Sequence, residues 1–361
     1  MTSGKTGLAF LSCTSRAGKV SRNTVSTSDL GGGVVVGAVE SEARSIQRKG
    51  TVTARSFNRI GRVVIGPEEG PSLTIESFRG NAQVSHNKSG YHAKAGHDGV
   101  LTLISTPGGE PQSIDFPDPG QPMELPGFGS LTGPEQRTKK SATGMRINTT
   151  GLTIRSTFND SITRVGRASA RLQRGNIYGL MHGRAYGSTA TLADGSSVSG
   201  RSAVQPLPCL GTGGDVLQNN SAGFVIPDAG DGGTTVSKSS GKVFKNGEID
   251  AWTQSTVESF DLGGQLQINA VKARANAHRT KSGNIKTDAK GTSVGQVIFE
   301  GEPQNIPAEG LEIPGVALIE VNLVKRTKTG IDVTALRLTL LDDTPIVSEI
   351  NLGNAKVRIS R

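Results

Sequence analysis

An internal duplication is the feature of this sequence that most constrains its fold. Residues 109–114 read GEPQSI, and residues 301–306 read GEPQNI, about 190 positions later. Residues 124–127 (ELPG) recur in the same order as residues 312–315 (EIPG). A repeat of this length in a chain of 361 residues predicts two copies of one structural module. We expect the first copy to span residues 1–172 and the second to span residues 173–361.

Both copies show the hydrophobic alternation of β-strands. Apolar residues alternate over 331–335, and the alternation changes parity at Leu336. The first copy shows the same change between residues 149 and 152. A period of two with a one-residue slip is typical of a strand with a bulge. The 49 glycines and the 34% hydrophobic content argue against a helical bundle. The predicted fold is therefore all-β: two tandem duplicated β-sandwich or barrel-like modules with very little helix.

The two copies differ in one segment. A strand-like stretch over residues 178–192 precedes Cys209, whereas only twelve residues precede its counterpart Cys13. Module 1 is therefore expected to lack an N-terminal strand segment. Either the stretch simply joins the modules, or it is exchanged between subunits and builds a filament, since head-to-tail contacts that do not close make fibres. The candidate assembly residues of this stretch are Ile177, Tyr178, Leu180, Tyr186 and Leu192.

Cys13 and Cys209 are the two cysteines of the chain. They occupy matching places in the two copies and are too few for a zinc site. Three roles stay open: structural thiols, a Cys13–Cys209 disulfide within or between subunits, and catalysis. A disulfide would require an oxidising compartment.

The net charge of +9 favours contact with acidic partners. The basic residues are scattered, and their densest stretches are residues 137–140 and 325–328. Aromatic residues make up 4% of the chain, too few to interleave with the basic residues as base stacking requires. We therefore predict no specific nucleic-acid binding, and an anionic cell-wall polymer as a candidate partner. No apolar run reaches the length of a membrane span, so no transmembrane segment is predicted.

Histidines provide the main candidate for metal chemistry. His86, His92 and His97 are close in sequence, but their spacing is irregular and the second copy has no histidines at matching places. No acid–base pair or cofactor-binding motif is evident. We therefore predict no catalytic, cofactor-binding or metal-binding residues, no cofactor, and a protein that is not an enzyme.

The second module resembles the choice-of-anchor P family of actinobacterial secreted proteins. The residues that carry the resemblance are 208–214 (PCLGTGG), 270–275 (AVKARA), 313–315 (IPG), 333–340 (VTALRLTL) and 352–355 (LGNA). The resemblance covers roughly residues 178–359 and, more weakly, the first module. It implies an exported, β-rich protein of the cell surface with a variable anchor, and it brings no catalytic residues. A cytoplasmic location stays the alternative, because residues 1–19 contain no apolar stretch of signal-peptide length.

Together these features predict a non-enzymatic structural protein. We expect it to be a self-assembling subunit of an extracellular or cell-surface filament or sheath. Its main partner would be another copy of itself, joined by β-strand complementation between subunits. The alternative is a monomeric cell-surface adhesin or carbohydrate-binding module, whose loops bind a ligand.

Overall fold

A computed structural model describes residues 4–11, 13–67, 69–104, 109–158, 160–174, 181–191, 197–307, 309–341 and 349–360. Within these ranges the chain forms β-strands and no helix, which confirms the predicted all-β class. No helix capable of crossing a membrane occurs in this part of the chain.

The chain divides into two compact units. Unit 1 contains Ala9–Asn23 and Asp29–Asn176. Unit 2 contains Ile177–Arg361 together with two N-terminal stretches, Gly4–Leu8 and Thr24–Ser28. The N-terminal segment therefore contributes to both units.

Unit 1 is built from long hairpins followed by shorter strands. Its strands are β1 (Val20–Asp29), β2 (Val34–Arg48), β3 (Thr51–Ile65), β4 (Ser72–Asn87), β5 (Gly90–Ile104), β6 (Gln112–Ile114), β7 (Pro122–Leu125), β8 (Gly129–Thr132), β9 (Glu135–Ser141), β10 (Gly144–Thr150), β11 (Leu152–Ser156), β12 (Ser161–Val165) and β13 (Ala168–Gln173). Within unit 1, one series of paired strands has the order β1-β2-β3-β4-β5-β6. The others have the orders β7-β8-β11-β12 and β9-β10-β13.

Unit 2 is also built from long hairpins and shorter strands, and it contains three more strands than unit 1 within the described residues. Its strands are β14 (Met181–Thr191), β15 (Ser197–Ser199), β16 (Gln205–Leu207), β17 (Leu217–Ser221), β18 (Gly223–Ile226), β19 (Gly230–Gly232), β20 (Thr235–Val243), β21 (Ile249–Leu262), β22 (Leu266–Arg279), β23 (Ile285–Asp288), β24 (Val297–Phe299), β25 (Glu302–Gln304), β26 (Leu311–Ile313), β27 (Ala317–Thr327), β28 (Gly330–Leu340) and β29 (Glu349–Ile359). Within unit 2, one series of paired strands has the order β18-β19-β21-β22-β24-β25, and β20 pairs with both β17 and β21. The second sheet runs β26-β27-β28-β29-β14-β15.

Part of the strand order recurs in both units. The hairpin β3–β4 of unit 1 corresponds to β21–β22 of unit 2, and β28–β29 corresponds to the strands β10 to β13. Strand β14 is an addition in unit 2. The partly shared strand order is consistent with the interpretation that the units are copies of one module.

The same backbone irregularity recurs in both units. Ser77 in β4 and Ala270 in β22 have positive φ angles of 51° and 54°. Residues other than glycine rarely adopt this conformation, so its recurrence at matching repeat positions marks a shared bulge. Residues on either side of such a bulge can face the same core, which explains the parity changes of the long strands.

A glycine packs against the residue that follows each bulge. A β-carbon at Gly166 would lie 2.1 Å from Phe78 Cε1, and one at Gly353 would lie 3.0 Å from Val271 Cγ1. Both glycines have positive φ, 69° and 63°. The close approach of a last strand to the bulge thus requires glycine in both units.

Each unit has its own hydrophobic core between its sheets. The core of unit 1 centres on Phe78, Leu73 and Ile75 of β4 and on Leu152 and Ile154 of β11. A second cluster in unit 1 includes Ala82, Val84 and Ile147. Unit 2 has one larger core that includes Phe260, Ile268, Leu336 and Val357.

The N-terminal segment is held in unit 2 by hydrogen bonds to a buried asparagine. The Lys5 amide donates to Asn219 Oδ1 at 2.6 Å, and Asn219 Nδ2 donates to the Lys5 carbonyl at 2.8 Å. The second half of β1 pairs with β18, and the Ser26 hydroxyl donates to the Val225 carbonyl at 3.1 Å. This segment therefore acts as a strand of unit 2 although it begins the chain.

Both cysteines are disulfide-bonded, and since the chain has only two, the bond joins Cys13 to Cys209. Of the three roles that the sequence left open for the cysteines, the structure therefore has the disulfide. Cys13 lies between the two N-terminal stretches that belong to unit 2. The bond holds this part of the chain close to Cys209.

Candidate functional site

An open sheet edge in unit 1 is the main candidate site. Among the residues that the structure describes, β12 pairs only with β11 and β13 pairs only with β10. Their counterpart in unit 2, β29, is paired on both sides. It pairs with β28 on one side and with β14 on the other, from Met181 opposite Ile359 to Thr191 opposite Glu349. Unit 1 thus presents, in its described part, the edge that β14 covers in unit 2.

Side chains from the opposite sheet satisfy part of this edge. The Ser169 N–H donates to Ser56 Oγ at 3.0 Å, and Ser56 Oγ donates to the Ser169 carbonyl at 2.9 Å. Asn58 Nδ2 donates to the Arg167 carbonyl at 3.2 Å. Because Ser169 directs both backbone groups at Ser56, they face away from β10.

The backbone groups farther along β13 share this direction. Hydrogen-bonding direction alternates along an antiparallel strand, so the N–H and C=O groups of Arg171 and Gln173 also face away from β10. Both residues are exposed. The edge therefore offers at least two residues whose backbone can bind an added strand.

In unit 2, one backbone position both accepts a hydrogen bond from a hydroxyl of the opposite sheet and lies opposite an added strand. Thr253 and Lys356 occupy the positions that match Ser56 and Ser169. Thr253 Oγ1 donates to the Lys356 carbonyl at 3.1 Å, and Lys356 is also opposite Arg184 of β14. A strand next to β13 would therefore reproduce an arrangement that the protein already contains.

An orphaned polar atom lies beside the open edge. Asn58 is 8% exposed, and its Oδ1 atom has no hydrogen-bond partner. The matching residue of unit 2, Ser255, is fully buried and bonds to Ser237 at 3.2 Å. An unsatisfied buried carbonyl costs stability, although unit 2 also contains such an atom at Thr235 Oγ1.

Tyr186 is the one predicted assembly residue that the structure describes. It lies in β14 opposite Asn354, and burial raises the pKa of its hydroxyl above the ordinary value. Arg201 packs over its ring at 6.0 Å from the centroid. Ile177, Tyr178, Leu180 and Leu192 lie outside the described residues.

The neighbours of β14 are relevant to its predicted role as a strand exchanged between subunits. Besides β29, it pairs with β16 and β15, and Met181, Ala185 and Ala190 are fully buried. In this structure β14 is thus an internal strand of its own unit 2. The sequence predicted the extra strand and its absence from module 1, and the comparison of β29 with β12 and β13 shows which strands form the open edge.

The three neighbouring histidines have separate partners. The His86 ring packs against the Tyr91 ring at an interplanar angle of 57° with centroids 4.4 Å apart, and His92 Nε2 lies 2.8 Å from Ser89 Oγ. His97 is half-buried beside Phe78, and burial lowers its pKa. No cluster of three or more His, Cys, Asp or Glu side chains suited to a metal ion occurs in the described part of the chain.

A comparison with known proteins found no matching family model and no similar curated protein.

Proposed function

We propose that the protein is a non-enzymatic structural subunit that assembles with other copies of itself by β-strand complementation. The open edge of β12 and β13 carries this proposal. Unpaired edges of this kind are templates for strand addition, and β14 at the matching place in unit 2 shows what an added strand looks like.

Charge complementarity supports a second copy as the partner. Arg164 and Arg171 are exposed on the open edge. Unit 2 has short end strands in both of its sheets, β25 and β26, which carry the exposed residues Glu302 and Glu312. A contact between the basic edge of one copy and an acidic end strand of the next is heterologous. Such contacts generate open filaments when the rotation does not close.

Export to the cell surface is the second part of the proposal. The Cys13–Cys209 disulfide supports it, because disulfides persist mainly in oxidising compartments. The resemblance to choice-of-anchor P proteins supports the same location. Membership of that family is part of the proposal.

A proline substitution tests the edge directly. Arg171→Pro removes an N–H that faces away from β10, so it blocks strand addition while keeping the β10–β13 hydrogen bonds. Arg171→Ala is the matched control, because it removes the same charge and keeps the N–H. Light scattering and negative-stain microscopy should show polymers for the wild type and the alanine variant, and monomers for the proline variant. Polymers of the proline variant would contradict the proposal, as would a wild type that stays monomeric at high concentration.

A monomeric carbohydrate-binding role is the second candidate function. An open cleft on β22 is lined by Lys272, Arg274, Asn276, Asp288, Lys290 and Gly291. The single tryptophan of the chain, Trp252, lies next to it, and the Arg274 guanidinium is 4.3 Å from its ring centroid. An aromatic ring beside amide and carboxylate groups is suited to a polar ligand. Loss of glycan binding in Trp252→Ala, with a monomeric wild type, would favour this role.

A further inference from the structure

The outer face of the sheet β9-β10-β13 in unit 1 carries a row of cations. Lys139 is opposite Arg146, and Arg146 is opposite Arg171, so the three side chains occupy one face of three adjacent strands. All three are exposed. Adjacent strands lie about 5 Å apart, and like charges at directly opposite positions destabilise a sheet.

This row has no acidic partner among the residues that the structure describes. Arg146 Nε donates to the neutral amide oxygen of Asn148 at 2.9 Å, and Arg171 donates to the amide oxygen of Gln173. Arg137 adds a fourth exposed cation, two residues from Lys139 on β9. The amides orient the two guanidinium groups without neutralising them.

Unit 2 has a comparable row in which a carboxylate takes the middle place between two cations. Counted from the Thr-Gly turn that both hairpins share, Asp332 occupies the position of Arg146. It lies between Lys325 and Lys356. Its carboxylate is 2.9 Å from Lys356 Nζ and 2.9 Å from Arg358 Nη2. The module thus accommodates a carboxylate at this position, so the arginine of unit 1 is not a requirement of the fold.

We propose that the cationic row of unit 1 binds a linear phosphate-bearing polymer. Arginine forks match phosphate oxygens geometrically, and three cations across adjacent strands suit a chain of repeated charges. The strands β9, β10 and β13 contain no aromatic residue, so the face lacks the stacking platforms that single-stranded nucleic acids use. The polymer is therefore expected to be recognised by its charges and not by bases.

The test uses inorganic polyphosphate as the probe and the 361-residue chain as a monomer. Arg146→Asp copies the unit 2 arrangement into unit 1. Lys88→Asp is the matched control, because it makes the same charge change in the β4–β5 turn. We expect Arg146→Asp to bind polyphosphate about tenfold more weakly at low salt, while Lys88→Asp binds nearly as well as the wild type. Lys139→Gln should reduce the slope of log affinity against log salt by about one.

Three results would overturn the proposal. One is an equal loss of polyphosphate affinity in Arg146→Asp and Lys88→Asp, which would indicate that binding depends only on the net charge of the protein. Another is an unchanged salt slope in Lys139→Gln. The third is tighter binding of single-stranded DNA than of polyphosphate at matched phosphate concentration, which would indicate a nucleic-acid site. Because the binding measurement uses monomers, its result does not depend on assembly. The polymer-binding proposal can therefore be wrong while the assembly proposal is right.

Discussion

Ser56 Oγ accepts a hydrogen bond from the Ser169 N–H at 3.0 Å and donates one to the Ser169 carbonyl at 2.9 Å. One hydroxyl from β3 therefore serves both backbone groups of an edge residue in β13. In unit 2 the matching hydroxyl of Thr253 bonds to a strand that β14 also pairs. Ser56 thus stabilises an edge that stays available for a further strand.

Ser56→Ala should weaken unit 1 and increase its tendency to associate. The substitution removes both hydrogen bonds and exposes the backbone groups of Ser169. We expect a loss of about 1 kcal/mol in the free energy of unfolding. Denaturant titration and sedimentation at several concentrations measure the two effects. Thr253→Ala is the control, and greater self-association of that variant than of Ser56→Ala would contradict the role of the edge.

Gly166→Ala should destabilise the protein more than Gly353→Ala. Both residues have positive φ, which costs an L-residue about 1–2 kcal/mol. Only at Gly166 does the new β-carbon penetrate a ring, at 2.1 Å from Phe78 Cε1, which adds about 1–3 kcal/mol of overpacking. Thermal unfolding should show the larger loss for Gly166→Ala. Equal losses would indicate that Phe78 moves aside without cost.

Reduction of the Cys13–Cys209 disulfide should destabilise the folded chain. The bond closes a loop of nearly 200 residues, for which the chain-entropy model gives about 5 kcal/mol and typical measured values are about 2–4 kcal/mol. Denaturant titration with and without reductant measures the difference. Cys13→Ser should lose a similar amount and become insensitive to reductant. A residual effect of reductant on Cys13→Ser would contradict this assignment.

Stability should fall as the pH is lowered through the range below 6.5, in part because of His97. Burial lowers the pKa of His97 from its ordinary value of 6.5, so the unfolded chain takes up the proton first. The contribution is complete above pH 6.5 and is lost as the pH falls toward the lower pKa of the folded state. His97→Gln should make the unfolding midpoint less dependent on pH between 7 and 5. An unchanged dependence would show that His182, whose pKa burial and Arg358 also lower, dominates.

The sequence predicted the β-class of the chain and the place of the extra strand because both are local patterns. Alternation, glycine turns and a repeat about 190 residues long can be read without knowing which strands meet. The segment Gly4–Leu8 carries no such pattern, so its place in unit 2 was not predictable. The hydrogen bonds between Ser56 and Ser169 join residues 113 positions apart, and only the folded unit brings them together.

The cationic row was predictable from the sequence only in part. The sequence shows Arg146 and Asp332 at matching repeat positions, which marks a charge difference between the modules. The effect of that difference depends on the charges that the two neighbouring strands place beside the residue. The register that places Lys139 and Arg171 next to Arg146 supplied this information.

Amide hydrogen exchange at β13 tests the assembly proposal most directly. The N–H groups of Arg171 and Gln173 face the open edge, so they should exchange rapidly in the monomer and slowly in the assembled protein. Leu172, whose N–H faces β10, should be protected in both and serves as the internal reference. Protection of Arg171 and Gln173 that rises with assembly is the result that the proposal predicts. Equally fast exchange of both amides in polymer and monomer would contradict it.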